Sequence, residues 1–497
     1  MTIDPLTPVL VGGGQVLHRA AGLDEALEPA ALMAGAIEAA ARDAGLAAPP
    51  AADSIRVVSS LSWRYQNPAL VVAGRLGLEP RELAVTTMGG NSPQALVNTT
   101  ARQILAGELD VAILVGGEAW RTRMRARREG VQLDWPRVPD DRPPTTIGSE
   151  FTMNLQAELD RGIVQPVQVY PMFETAIRAA SGTSPSEHLE RVGAMWSRFS
   201  QVAAANPHAW SREPRSAAEV HTPSPANRMV GLPYTKCMNS NNDVDMAAAV
   251  IMCSAGAADR LAVASDRWVF PHSGTDCHEH PFISHRDTFA RTPAIEIGGR
   301  RALELAGRGI EDVALIDLYS CFPSAVQLGA RSLGLDPFDG SRQLTRTGGL
   351  AFAGGPWTNY VMHAIATMIG ELRVRPGECG MVWANGGYAT KHSFGVYSTD
   401  PPADPYRHES PQAEIDRLPA RALAEPADAS GRATVEAYTV MHSRDGVAER
   451  AIASCLLADE RRAWGTSDDT DTAAAMCDGE WVGREVRLDA DGTLLPT

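Results

Sequence analysis

The sequence predicts an α/β fold made of two similar halves, followed by a small antiparallel β-domain. Three observations carry this expectation. Short apolar runs alternate with Ala-rich amphipathic stretches, the alternation of a mainly parallel layered sheet with helices on both faces. A junction of strand, turn and helix recurs in both halves, at residues 83–96 and again at 313–332, with glycine-rich turns in each half, which suggests a duplicated unit rather than an array of short repeats. Beyond a linker dense in Pro, Ala, Asp and Glu at 401–426, the apolar period changes to two, the period of strands.

Residues 8–14, PVLVGGG, read as a buried strand, and 25–45 as a helix with apolar positions at Leu27, Ala30, Ala31, Ala34 and Ile37. The triple glycine does not have GxGxxG spacing, and the next strand, 55–61, leads into Ser-Trp-Arg rather than a ribose-binding acid, so no dinucleotide site is expected. A helix at 67–77, a strand at 83–85, a helix at 92–107 and a strand at 111–115 complete the first series. At its centre stands 86–96, TTMGGNSPQAL. Such a turn aims the first N–H groups of its helix, and the positive end of the dipole, at one point, a setting for an activated nucleophile or a bound anion. The turn carries Met88, Gly89, Gly90, Asn91 and Ser92 but no cysteine, and Ser92 before Pro93 reads as an ordinary N-cap.

After Gly117 the pattern breaks. Residues 120–144, rich in Arg, Asp and Pro, read as an excursion from the sheet, and 170–180 and 184–206 as inserted helices. The alternation then resumes with an expected helix at 245–256, a strand at 261–264 and a helix at 293–306. The strand 313–318 runs into Tyr319-Ser320-Cys321-Phe322-Pro323 and a helix at 324–332. TGGLAFAGGP at 347–356 feeds a helix at 360–373, and GMVWANGG at 380–387 reads as a strand ending in glycines. In the tail, 433–442 and 449–458 flank Arg444-Asp445-Gly446 as a hairpin, with a further strand at 481–488. The expected units are 1–258, including an inserted loop region at about 120–240, then 259–403 and 404–497.

A net charge of −15, without basic clusters interleaved with aromatics, argues against nucleic acid as a partner. No run approaches the roughly 20 apolar residues of a membrane span, and the N-terminus lacks a secretion signal, so a cytoplasmic location is expected. Seven scattered cysteines without a CxxC pair fit a reducing compartment. His272, Cys277-His278-Glu279-His280 and His285 lack zinc-helix spacing and read as a solvated loop, so no metal is expected.

Seven segments, in order, carry a resemblance: PVLVGGGQ, GGNSPQAL, LVGGEA, PAIEIGGRRALELAG, DLYSCF, TGGLAFAGGP and ANGGYATKHSFGVYS. Together they resemble the thiolase superfamily, its branch similar to sterol-carrier-protein thiolases, over about residues 7–400, and the tail looks like the OB-like domain that some bacterial thiolase-like proteins carry. The resemblance implies a duplicated five-layer α/β/α/β/α core. It implies coenzyme A or acyl-CoA as substrate or ligand with no other cofactor, acetyl-CoA acetyltransferase-type chemistry in lipid or sterol metabolism, and a homo-oligomer unless the added domain leaves a monomer.

Carried over one residue at a time, the nucleophilic cysteine of that family falls on Gly89 and the Asn or His of its NEAF or HDCF motif on Tyr319. The GHP histidine falls on Gly355 and the acid/base cysteine of CxG on Ala384. Without a thiolate and its base, classical thiolase catalysis is not expected, although the N–H groups of Gly89 to Asn91 would still serve an anion. Ligand-binding candidates are Gly90, Asn91, Ser92, Asn359, His363, Asn385 and Gly386. Related retro-aldolases carry an acid/base tyrosine where this chain has Tyr319. That makes Tyr319 the candidate for C–C cleavage of a β-hydroxyacyl-CoA, with a pKa expected to be lowered by helix dipoles. Their second tyrosine falls on Gly354 or Gly355, with Tyr360 a turn further on. A third expectation is a non-catalytic carrier or interaction protein.

Overall fold

Five layers stack in the body of the molecule, and the computed structural model describes residues 3–137, 142–150 and 152–496. Two buried helices, Ser92–Leu105 and Tyr360–Arg373, lie against each other between two sheets. Helix Pro29–Asp43 covers the outer face of the first sheet and Pro293–Leu305 that of the second. The first sheet runs Pro8–Leu17, Asp245–Ser254, Val111–Ala119, Ser54–Val57, Glu82–Thr86, Thr145–Ile147. The second runs Val313–Leu318, Cys379–Gly386, Lys391–Ser398, Phe270–His278, Arg407–Glu409.

The duplication is visible in the pairing. From Pro8–Leu17 inward the first sheet reads antiparallel, antiparallel, parallel; from Phe270–His278 inward the second reads the same. Each half therefore closes on a late strand inserted between earlier ones, and the junction after Glu82–Thr86 feeds one of the two helices in the middle of the stack.

Several expectations are corrected. Asp245–Ser254 is a strand, not a helix, and all ten of its residues are buried. A strand covered on both faces has no polar alternation, so DMAAAVIMCS imitates a helix. Residues 261–264 form no strand. The Arg-rich excursion contains a helix, Trp120–Glu129, ended by Gly130 in the left-handed region at φ 67°. The expected loop at 272–280 is largely the strand Phe270–His278, and Cys277 is buried with its thiol donating to the Ala294 carbonyl at 3.5 Å. The linker contributes the strand Arg407–Glu409 to the second sheet.

The third sheet is antiparallel: Arg462–Ser467, Ala448–Leu457, Gly431–His442, Glu485–Leu488 and Leu494–Pro496. Short strands Met229–Gly231 and Tyr234–Thr235 join it from the insert. It has its own core, including Val435, Val440, Trp481 and Leu488. Arg462, fully buried, locks it to the second half. Its guanidinium pairs with Glu436 at 2.8 Å and donates to the carbonyls of Ser284 (2.8 Å) and Arg286 (2.6 Å).

Candidate functional site

The turn after Glu82–Thr86 is held from inside. Ser92 N–H donates to Gly89 O at 3.0 Å, and Ser92 Oγ donates to Thr87 O at 2.9 Å. Ser92 is therefore not the expected N-cap: Asn91 occupies that position, without a side-chain capping bond, and the serine hydroxyl is a donor within the turn. The Met88 N–H reaches Glu150 Oε1 at 3.3 Å, and Lys391 Nζ donates to the Met88 carbonyl, so the mouth of the turn already carries a carboxylate and an ammonium of the chain itself. Burial pushes the Lys391 pKa down, with Glu150 opposing.

Gly89, Gly90, Asn91, Tyr319, Asn385 and Gly386 come together. A Cβ built on Gly90 would lie 2.4 Å from Tyr319 Oη and 2.4 Å from the Asn385 carbonyl oxygen. One on Gly89 would lie 2.5 Å from Asn91 Oδ1 and 2.8 Å from Lys391 Nζ, and one on Gly386 2.7 Å from Asn91 Oδ1. At Gly90 the Asn385 backbone and the Tyr319 ring leave no room for a side chain, whereas at Gly89 the neighbours are the ends of the Asn91 and Lys391 side chains. The space over Gly90, next to the position of the expected nucleophile, is filled by the tyrosine hydroxyl from the other half.

Tyr319 is buried and its ring meets Tyr360 edge to face at 5.6 Å between centroids. Burial pushes the Tyr319 phenol up, not down as expected, with Cys321 adding in the same direction. The lost hydration outweighs any lowering by the helix dipole. Tyr360 Oη lies 2.6 Å from Thr347 Oγ1 and donates to Asp317 Oδ1 at 3.2 Å. Burial raises the Asp317 carboxyl to about 6 against hydrogen bonds from Arg346, Thr345, Thr347 and Tyr360. Cys321, pushed up by burial to about 12, is a core thiol.

The remaining candidates are distributed around this cluster. A Cβ on Gly355 would lie 2.2 Å from Ser240 Oγ, and Gly355 N–H donates to Asn241 O at 2.9 Å, so the insert occupies the place of the expected histidine. Ala384 is a buried member of the strand Cys379–Gly386, opposite Ser393. Asn385 Nδ2 donates to Tyr170 Oη at 2.9 Å, while its Oδ1 has no partner among the described residues. Asn359 is buried, its side-chain polar atoms have no partner among the described residues, and it packs against Gly116 of the first sheet. His363 turns to Gln15 Oε1 at 2.9 Å, and burial lowers its pKa to about 3.

Beside the turn opens a cavity of about 460 Å³ lined by Asn91, Ser92, His278, Lys391, His392 and His408, among others. His392 is buried, accepts from Trp383 Nε1 at 3.4 Å, and is lowered to about 3 by burial. His408 reaches Asp276 at 2.7 Å. Asn91 and Ser92 were among the ligand-binding candidates read from the sequence, whereas Lys391, His392 and His408 were missed. ATKHSFG carries the only signal, a lysine and a histidine on a short run after a glycine turn. Among the described residues no group of three or more His, Cys, Asp or Glu side chains is placed to hold a metal.

Layers and junctions of this kind define the thiolase-superfamily fold. The chain matches human mitochondrial 3-ketoacyl-CoA thiolase in complex with CoA at a TM-score of 0.57 and 18% identity, over 80% of this chain and 99% of that one. It matches an Ltp2-ChsH2(DUF35) aldolase at 0.61 and 18%, over 79% and 98%. Residues 411–493 match the additional C-terminal domain of thiolase-like protein type 1. The crystal structure of a monomeric SCP2-thiolase like protein type 1 from Mycobacterium smegmatis matches at a TM-score of 0.84 and 31% identity, over 100% of this chain and 98% of that one. This chain belongs to the SCP2-thiolase-like proteins of type 1. No curated protein matches it.

Proposed function

We propose that this protein binds a CoA thioester in lipid or sterol metabolism and does not perform classical thiolase acyl transfer. The observation that carries this reading is the Tyr319 hydroxyl standing where a Cβ of residue 90 would be, 2.4 Å from that ideal position. With Gly89 and Gly90 at the turn and Ser240 against Gly355, the cluster offers neither a nucleophile nor its base. The human thiolase with the same fold was solved with CoA, and that ligand class is carried to this chain together with the helix-directed turn at Gly89 to Asn91. A monomer is the state we carry over from the Mycobacterium smegmatis relative. The strand Thr145–Ile147, which covers Glu82–Thr86 at the edge of the first sheet, supports it.

Calorimetry with CoA and an absorbance assay with acetoacetyl-CoA test the reading as a pair. Binding without cleavage is the expected result. Cleavage at thiolase-like rates contradicts it, and no CoA affinity shifts the protein to the carrier or interaction class. A second reading, retro-aldol cleavage of a β-hydroxyacyl-CoA, is favoured by the Tyr319–Tyr360 contact and by the fold shared with an aldolase. It requires the buried phenol to move a proton despite its raised pKa. A Tyr319→Phe variant that cleaves such a substrate as fast as the wild type ends it.

A further inference from the structure

A second cavity, of about 200 Å³, lies at the seam where the inserted helices Pro166–Ala180 and Pro185–Ala205 meet the C-terminal sheet. Its walls are largely apolar, with Leu189, Val192, Leu232 and Tyr438 among them. An apolar cavity of about 150 Å³ suffices to hold a benzene ring, so this one has room for a ring with a substituent.

One end is polar and unusually organised. Glu174, buried, accepts from His188 Nε2 at 2.5 Å, from Tyr234 Oη at 2.5 Å and from Gln327 Nε2 at 2.6 Å. Burial alone would raise the Glu174 carboxyl, but these donors, His188 first, hold its pKa below the ordinary value. In its neutral form His188, giving Nε2–H to the carboxylate, keeps a lone pair on Nδ1. His188 lines the cavity, is 3% exposed, and its Nδ1 has no partner among the described residues. A buried acceptor kept without a donor is costly, and a ligand hydroxyl would relieve that cost.

We propose that this seam is a second ligand site, taking a small, largely apolar alcohol or phenol whose hydroxyl donates to His188 Nδ1. The site is separate from the glycine cluster and does not depend on CoA binding.

Cys477 lines the same cavity, half-buried, its thiol 3.7 Å from His442 Nε2. Burial and Asp478 push that thiol up to about 11, which makes it a slow reporter rather than a nucleophile. The test uses the full-length protein, phenol and benzene as probes, and slow alkylation by iodoacetamide at mildly alkaline pH, well below the phenol pKa of about 10 so that the probe keeps its hydroxyl proton, read by peptide mass spectrometry. Phenol is expected to protect Cys477 but not the half-buried Cys237, and to do so at a concentration roughly three- to tenfold below benzene, the worth of one hydrogen bond. Val192→Phe, which fills the cavity, is expected to abolish protection by both probes, with Leu189→Trp at the rim as a second filling variant should the first not fold. Equal potency of phenol and benzene, protection of both cysteines, or no protection at all would each overturn the proposal.

Discussion

The two strand-turn-helix junctions, after Glu82–Thr86 and after Val313–Leu318, contrast in what they present. At the first, Gly89 and Gly90 carry no side chain, and the Ser92 hydroxyl is spent on the Thr87 carbonyl. At the second, the strand Val313–Leu318 delivers Tyr319, whose hydroxyl crosses to the first junction and takes the space over Gly90. The comparison teaches that the turn where the resemblance led us to expect a reacting centre makes a packing contact between halves, Tyr319 against Gly90. One side supplies the hole and the other the plug, so the two junctions should be energetically coupled rather than chemically complementary.

The largest effect expected from breaking this contact comes from Tyr319→Ala. Removing a buried ring should cost about 3–5 kcal/mol in denaturant unfolding. A change below about 1 kcal/mol would mean the ring is not the plug. Gly90→Ala should cost about 1–3 kcal/mol by overpacking. In a Tyr319→Ala background that penalty should shrink by about 0.5–3 kcal/mol, while the Asn385 carbonyl keeps it from vanishing. Strict additivity would uncouple the junctions.

Asp317, beneath the second junction, adds a pH dependence that the first lacks. Its folded pKa of about 6 lies above the ordinary value of 3.8, so the folded state holds this proton after the unfolded chain has released it. Its contribution to stability therefore falls as pH rises from about 4 to 6 and is flat above. Asp317→Asn should lack that decline, a difference on the order of 2 kcal/mol between wild type and variant across the window. Parallel curves would place the Asp317 titration elsewhere. The smallest expected effect is that of Ser92→Ala, about 1 kcal/mol for one lost hydrogen bond, and no measurable loss would mean the turn does not need its internal donor.

Much of this was legible because glycines mark where strands hand over to helices, and those punctuation points survive burial. The strand Asp245–Ser254 was not, since burial on both faces erases the alternation that identifies strands. Phe270–His278 was obscured by its histidines, which suggested solvent although the strand sits inside the second sheet. In the candidate site, Gly89 and Tyr319 stood out as departures from a motif. The contact of Tyr319 with Gly90, and that of Gly355 with Ser240, depend on how distant segments pack, which no local pattern encodes. The raised pKa of Tyr319 was missed for the same reason: a dipole can be inferred from a helix start, whereas desolvation depends on everything that closes over the ring.

The most direct test of the plugged centre is intact-protein mass spectrometry with peptide mapping after incubation with acetoacetyl-CoA. An unmodified chain is the predicted result, because no thiol stands at Gly89, Gly90 or Ala384 to accept an acetyl group. An acetyl group recovered on Cys321, the thiol nearest in sequence to Tyr319, would contradict the account and return the protein to ordinary acyl transfer.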